Sequence, residues 1–323
     1  MLQIKFKDFY WEIYNRKFDY YYLNSVLKTN NLIGKDTIFA GSSYSIFGIE
    51  PKKSELCIGL PSQDFYYSDK LIRKVLSKGV FNRVVFIIGY YTPYCDLSKT
   101  NNKAEQQKID DVYIPLLKDF HNRNKEKYNK RRSQILYIKK YLKFIVEVLF
   151  IFFQKIKYFL KPTLNYFNNF HSRENRKRVT WDNVAYSWKY LTVDERLAAG
   201  RKRVRGHEKF LKYSSSLEEN KNVFLNLYSF LKQKKVEFDV ICAPFSYEYL
   251  NGMTKEYVEN SVSLKSFLMK NCDRFIDMNN LEFTDNIIKF DNSSFSCEDF
   301  VDSDHLSDSG ARKFTNLVHE ILF

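Results

Sequence analysis

Two short segments, near opposite ends of the chain, hold residue types that could perform nucleophilic chemistry. The first is Phe39-Ala40-Gly41-Ser42-Ser43, where an apolar run gives way to small residues. A serine nucleophile needs a tight strand-to-helix turn that lifts its hydroxyl clear of a sheet. A preceding glycine allows close backbone approach, and the following amides can face a developing negative charge. The same residues also fit a plainer purpose, because Ser is a favoured helix N-cap. The second segment is Phe300-Val301-Asp302-Ser303-Asp304-His305-Leu306. Asp302 and His305 stand three apart on a stretch entering a helix. That spacing lets a carboxylate hold one imidazole nitrogen while the other faces a cleft, the orienter-and-base half of a Ser-His-Asp triad. The helix dipole alone would favour Asp at such a place. His305, however, is one of only five histidines, so a chance D-x-x-H here is less expected.

These residues can meet only if the elements between them bring both ends to one edge of a sheet. DTIFAGSS (36–43), ELCIGL (55–60), RVVFIIG (83–89), VEFDVICAPF (236–245) and RFIDM (274–278) read as strands. The third is apolar throughout, as a strand buried on both faces should be. Residues 68–79 read as a helix, with Leu71, Ile72, Val75 and Leu76 at helical spacing, Ser68 as cap and Gly79 as terminator. Residues 219–235 form an amphipathic helix, and HLSDSGARKFTNLVHEILF closes the chain as another. Strands separated by helices predict an α/β fold with a parallel sheet and helices on both faces. In such a sheet the loops after the strands converge, so distant positions can share a cleft.

With both blocks in view, the chain resembles the SGNH/GDSL hydrolase superfamily, in which a G-D-S block opens the fold and D-x-x-H closes it. Here the first block stands as Gly41-Ser42-Ser43, with Ser in place of the usual Asp. That variant is similar to the branch holding the D-alanine transfer protein of teichoic acid synthesis and bacterial polysaccharide-cluster proteins. Further likeness lies in Leu60-Pro61-Ser62-Gln63-Asp64-Phe65-Tyr66-Tyr67, in Ile88-Gly89-Tyr90-Tyr91 through Asp96-Leu97-Ser98, and in Ala243-Pro244. DSDHLSDSGARKF is the most specific match. The resemblance covers roughly 35–100 and 215–323. It implies a three-layer, flavodoxin-like sheet with Ser43 as nucleophile, His305 as general base and then acid, and Asp302 as its orienter. The family's oxyanion hole draws on the nucleophile's amide, a Gly of the second block and an Asn of the third. Ser62 stands in the second block, and its amide could serve. The third block reads Gly89-Tyr90-Tyr91-Thr92, so Tyr91 occupies the place of the Asn. Losing one such donor typically costs on the order of 100–1000-fold in turnover.

Other residues offer less. Asp304 could replace Asp302 as orienter, but its place next to His305 makes that geometry harder. His207, beside Glu208 in a basic stretch, reads as solvated. His121, His171 and His319 have no partner pattern, and Cys242 reads as a small core residue. Nothing in the chain reads as a metal or cofactor site, although a transferase would need an acyl donor such as acetyl-CoA.

The 323 residues include 29 Phe and 24 Tyr, enough apolar surface to exclude global disorder. Few Gly and Pro disfavour many-turned all-β architectures. Five scattered cysteines argue against a disulfide framework and for a reducing compartment. The first 24 residues contain no apolar run of signal-peptide length, so the expected location is cytoplasmic, with peripheral attachment at the inner membrane face as a further possibility. The net charge of +14 is uneven: residues 121–213 hold 24 Lys/Arg against 7 Asp/Glu, and the remainder is slightly acidic. The chain therefore divides into a lead-in (1–34), an α/β domain (35–100 and 214–323) and a basic helical insertion (101–213).

Within that insertion, 135–160 reads as one long helix. Its apolar run, Phe144 to Phe153, is too short for the roughly 20 residues a bilayer requires. Flanked by lysines, it suits an anionic membrane surface, a lid over the active site, a nucleic-acid face, or attraction of an anionic substrate. No recognised nucleic-acid module is present. The expected function is serine-dependent acyl-ester chemistry, as O-acyltransferase or esterase, on a bacterial surface glycan or glycolipid. The competing expectation is a non-catalytic scaffold of the same fold in glycan assembly.

Overall fold

The computed structural model describes residues 19–130, 188–285 and 287–323. The helix expected at 135–160 and His171 lie outside them. Residues 23–97 and 188–323 belong to one compact unit, and 19–22 with 98–130 belong to another. In the second unit, Asn102 caps a helical run of Lys103–Lys108, a π-helical turn Ile109–Tyr113 and Ile114–Leu117, which ends at Lys118 with φ 60°. Among the described residues no helix is long and apolar enough to cross a membrane.

The larger unit is built on a five-stranded parallel sheet in the order β2-β1-β3-β4-β5. The strands are β1 (Thr37–Gly41), β2 (Glu55–Cys57), β3 (Arg83–Ile88), β4 (Glu237–Cys242) and β5 (Arg274–Asp277). All five fall inside the segments the sequence marks as strands, trimmed where the backbone turns away. The order reverses between β1 and β3, which pair directly, with Gly41 opposite Ile87. Such a reversal opens a crevice beyond the carboxyl ends of the strands. A short antiparallel hairpin, β6 (Glu282–Thr284) with β7 (Ile287–Lys289), lies outside the sheet.

The helices of this unit are α1 (Ser43–Gly48), α2 (Phe65–Leu76), α3 (Val193–Glu208), α4 (Ser214–Gln233), α5 (Tyr247–Leu250), α6 (Lys255–Met269) and α7 (Asp308–Leu322). Helix α2 begins three residues before the expected start. Asp64, not Ser68, is its cap: Asp64 accepts from Tyr67 N at 2.9 Å, while the buried Ser68 hydroxyl donates to the Asp64 carbonyl within the first turn. The helix ends at Leu76, short of Gly79. Helix α2 packs on α4 and β1, and α7 packs on α1. Phe rings fill much of the core. Phe65 meets Phe86 edge-on at 4.9 Å, and Phe224 lies 5.2 Å from Phe238.

Residues 188–213, which the sequence groups with the basic insertion, pack as part of the α/β unit. Helix α3 starts at a capping box, Thr192 with Glu195. It docks closely on α5: a Cβ on Gly200 would sit 2.5 Å from the Glu248 carbonyl oxygen, and Arg196 Nε lies 2.6 Å from Glu248 Oε1. None of the five cysteines, all within the described residues, forms a disulfide.

Candidate active site

The turn after β1 is made by Gly41. Its φ of 130° is one that side-chain-bearing residues rarely adopt, and a Cβ there would lie 2.0 Å from the Ile87 carbonyl oxygen. Only glycine lets β1 run this close to β3 and still turn into α1. Ser42 takes the N-cap position without a side-chain cap bond, and its buried hydroxyl has no partner among the described residues. Ser43 is therefore the first residue of α1, at the carboxyl edge of the sheet and at the β1/β3 reversal.

The loop carrying Asp302 and His305 is fastened at both ends. Phe300 and Leu306 form an isolated antiparallel bridge, and Val301 N donates to the His305 carbonyl at 3.0 Å. Ser307 caps α7 by accepting from Gly310 N, and Gly310 sits so close to Asp299 that a Cβ would lie 2.0 Å from its carbonyl oxygen. Ser246 N, just after β4, donates to the Ser303 carbonyl at 3.0 Å and ties the loop to the sheet edge.

These constraints bring together residues 262 apart in sequence. His305 Nε2 lies 3.0 Å from Ser43 Oγ, and His305 Nδ1 lies 2.9 Å from Asp302 Oδ2. Asp302 Oδ1 also accepts from the amides of Asp304 (2.9 Å) and His305 (2.8 Å). With Nδ1–H donated to Asp302, Nε2 carries the lone pair that accepts the Ser43 hydroxyl proton. The imidazole stacks on Tyr44 (5.6 Å between centroids, 20° between planes) and meets Phe47 edge-on. Burial opposes the charge on His305, but the Asp304 and Asp302 carboxylates outweigh it, and its pKa rises above the ordinary value. Burial likewise opposes the charge on Asp302. The charge and hydrogen bond of His305, with the Asp304 amide, prevail and hold the carboxyl well below its usual range.

Ser62 is exposed, with φ 58°, in the turn before α2. Among the described residues it shares no hydrogen bond with the triad. Gly89 makes room for a ring: a Cβ there would lie 2.6 Å from Tyr44. The Tyr91 ring stacks on His207 at 3.6 Å, and its hydroxyl lies 3.5 Å from that of Tyr44.

A second layer of polar groups surrounds the triad. Asp304, 1% exposed, accepts from Arg203 through both oxygens, Oδ1 from Nε at 2.8 Å and Oδ2 from Nη2 at 3.0 Å. It also accepts from the Tyr44 hydroxyl at 3.0 Å. His207, expected in solvent, is buried in α3. Its Nδ1 shares a 2.7 Å hydrogen bond with the Tyr249 hydroxyl, which in turn lies 2.9 Å from the Tyr257 hydroxyl. Burial, only partly offset by Asp304, pushes the His207 pKa down to about 3, so its ring is neutral. Asp304 stays 3.8 Å from His305 Nδ1, against 2.9 Å for Asp302, so Asp302 is the better-placed orienter. Asp302, Asp304 and His305 offer ligand atoms within 4.8 Å of one another. The Arg203 guanidinium engages both Asp304 oxygens and supplies the positive charge at that point. Of the remaining histidines, His319 pairs with a carboxylate of its own, its Nε2 2.6 Å from Glu55 Oε1. Cys242 is wholly buried.

The sequence could have signalled part of this second layer. Arg196, Gly200, Val204 and His207 recur at helical spacing inside a charged stretch, and Thr192-x-x-Glu195 marks a helix start. No family model matches the chain, and no curated protein matches it.

Proposed function

We propose that the chain is a serine-dependent acyl-ester enzyme of SGNH/GDSL type, an O-acyltransferase or esterase acting on a bacterial surface glycan or glycolipid. The observation that carries this reading is the Ser43–His305–Asp302 relay, with links of 3.0 and 2.9 Å at the carboxyl edge of the sheet. The β2-β1-β3-β4-β5 order supports the flavodoxin-like fold that such enzymes share. In the first half-reaction Ser43 Oγ attacks the acyl carbonyl carbon while its proton passes to His305 Nε2. Asp302 stabilises the imidazolium. The tetrahedral adduct expels the alkoxide, which takes the proton from Nε2, and an acyl-serine remains. Water or a sugar hydroxyl then attacks, giving its proton to His305, and Ser43 leaves with that proton restored. Transfer would draw on an acyl donor such as acetyl-CoA, whose thiolate would leave in place of the alkoxide and take the proton from Nε2. Attachment to the inner face of an anionic membrane, through 135–160, belongs to the same proposal.

One observation favours a second reading, a non-catalytic scaffold of this fold in glycan assembly. Tyr91 stands where the resemblance calls for an oxyanion Asn, and it is packed against His207. A fluorophosphonate probe separates the two. An enzyme is labelled at Ser43, and the Ser43→Ala variant is not; surface glycan from cells carrying that variant then differs from wild type by the mass of one acyl group. A wild type that resists the probe, with glycan unchanged by the variant, speaks for the scaffold.

A further inference from the structure

The buried Asp304 belongs neither to the nucleophile nor to its orienter, yet three side chains from two helices converge on it. Arg203 of α3 grips both of its oxygens, at 2.8 and 3.0 Å. The Tyr44 hydroxyl of α1, on the residue next to the nucleophile, donates to Oδ2. His207 of α3 stands 3.9 Å from Oδ2 and is braced behind by Tyr249 of α5 and Tyr257 of α6. A fully desolvated carboxylate persists only when paired and hydrogen-bonded. Here the pairing comes from a helix that no local motif connects to the triad, 101 residues away in sequence.

We propose that Asp304 and Arg203 are positioning residues for His305, forming a clamp that ties α3 to the base loop and fixes the net charge around the imidazole. The inference rests on the acyl-transfer reading of the site. The groups facing His305 are Asp302 and Asp304 on its own loop, Ser43 and Tyr44 on α1, and Arg203 and His207 on α3. Tyr91 and Tyr249 stand one layer further out. With His207 neutral, two carboxylates and one guanidinium supply the fixed charge. When His305 takes the Ser43 proton, the imidazolium forms beside Asp304 as well as Asp302. The guanidinium keeps that second carboxylate from holding the proton too tightly to return it to the leaving group. The clamp therefore acts in opposite directions through its two members. Loss of Asp304 removes a negative neighbour and lowers the imidazole pKa; loss of Arg203 leaves that carboxylate uncompensated and raises it.

The test uses the full chain. The His305 imidazole is titrated by NMR, and the rate of fluorophosphonate labelling is followed against pH, in wild type, Asp304→Asn, Arg203→Gln and Arg203→Lys. The expected result is a midpoint lowered by about one pH unit in Asp304→Asn and raised by a similar amount in Arg203→Gln. Arg203→Lys, which restores the charge without the two-pronged geometry, returns the midpoint toward wild type. A structural prop would move both midpoints the same way, or neither, and either outcome overturns the proposal. Should Asp304→Asn fail to fold, the Arg203→Gln and Arg203→Lys pair decides alone. Opposite NMR shifts without any labelling of Ser43 would retain the clamp and remove the enzyme reading. Labelling with unshifted midpoints would do the reverse.

Discussion

At the scale of single residues the proposed chemistry depends on one proton path, and its pH behaviour follows from the charges around it. In that proposal His305 acts as base only when neutral. Its pKa is raised because Asp304 and Asp302 overcome the effect of burial. Acylation should therefore climb with pH and level off only after passing a midpoint above the ordinary imidazole value of 6.5. Stability runs the other way. A group whose folded pKa is raised contributes stability that is fully present below its unfolded pKa and is lost as pH rises through the folded one. Labelling rate and urea midpoint measured across pH 6 to 9 should thus move in opposite senses over one window. Asp302→Asn leaves the imidazole without its orienter and should slow acylation by roughly three to four decades, with little change in probe affinity. A loss below tenfold would assign the orienting task elsewhere. Asp302 and His305 were legible because they belong to one local motif. Arg203 was not, because its type and neighbours match those of Arg201 and Arg205; only the turn of α3 that faces Asp304 tells them apart.

At the scale of elements, glycines decide which backbones can touch. Gly200→Ala would place a Cβ 2.5 Å from the Glu248 carbonyl, a backbone atom that cannot swing aside. Helix α3 must then lift from α5, carrying Arg203 and His207 with it. The expected cost is about 1–3 kcal/mol in urea unfolding, with a slowed labelling rate although no triad atom changes. Unaltered rate and stability would show that α3 does not set the site. Gly41→Ala combines a 2.0 Å approach to Ile87 with an unfavourable φ. It should cost about 3 kcal/mol or more, or prevent folding, as read by circular dichroism. The five strands were readable in sequence because buried parallel strands are short apolar runs, and β3 shows the pattern most clearly. Helix α3 was missed for the opposite reason. Its exposed face carries so much charge that Gly200, Val204 and His207 barely mark the buried stripe. The start of α2 was misplaced because Ser68 and Asp64 are both capable caps, and tertiary packing chose Asp64, whose second oxygen also accepts from Leu97 N at 2.8 Å.

At the scale of the whole molecule the uneven charge becomes physical. The inward side of α3 carries Arg203 and His207 toward Asp304, while Arg201, Lys202, Arg205 and, just past the helix end, Lys209 lie exposed along one outward stripe. None of these four forms an ion pair among the described residues. Four like charges on a helix face repel one another and are best relieved by an anionic surface. A leaflet rich in phosphatidylglycerol offers one, at about 1 kcal/mol for each basic side chain near the headgroups. The proposed membrane-face location then has a measurable form. Wild type should float with vesicles containing a third phosphatidylglycerol and stay behind with pure phosphatidylcholine. Binding should weaken steeply between 50 and 500 mM salt as the Debye length shrinks. Changing the four residues to Gln should weaken binding by roughly two to three decades while leaving the His305 titration unmoved, because the stripe faces away from Asp304. If the altered chain floats as well as its parent, or if salt has no effect, the outward face of α3 plays no part in attachment, and any binding falls to 135–160 alone.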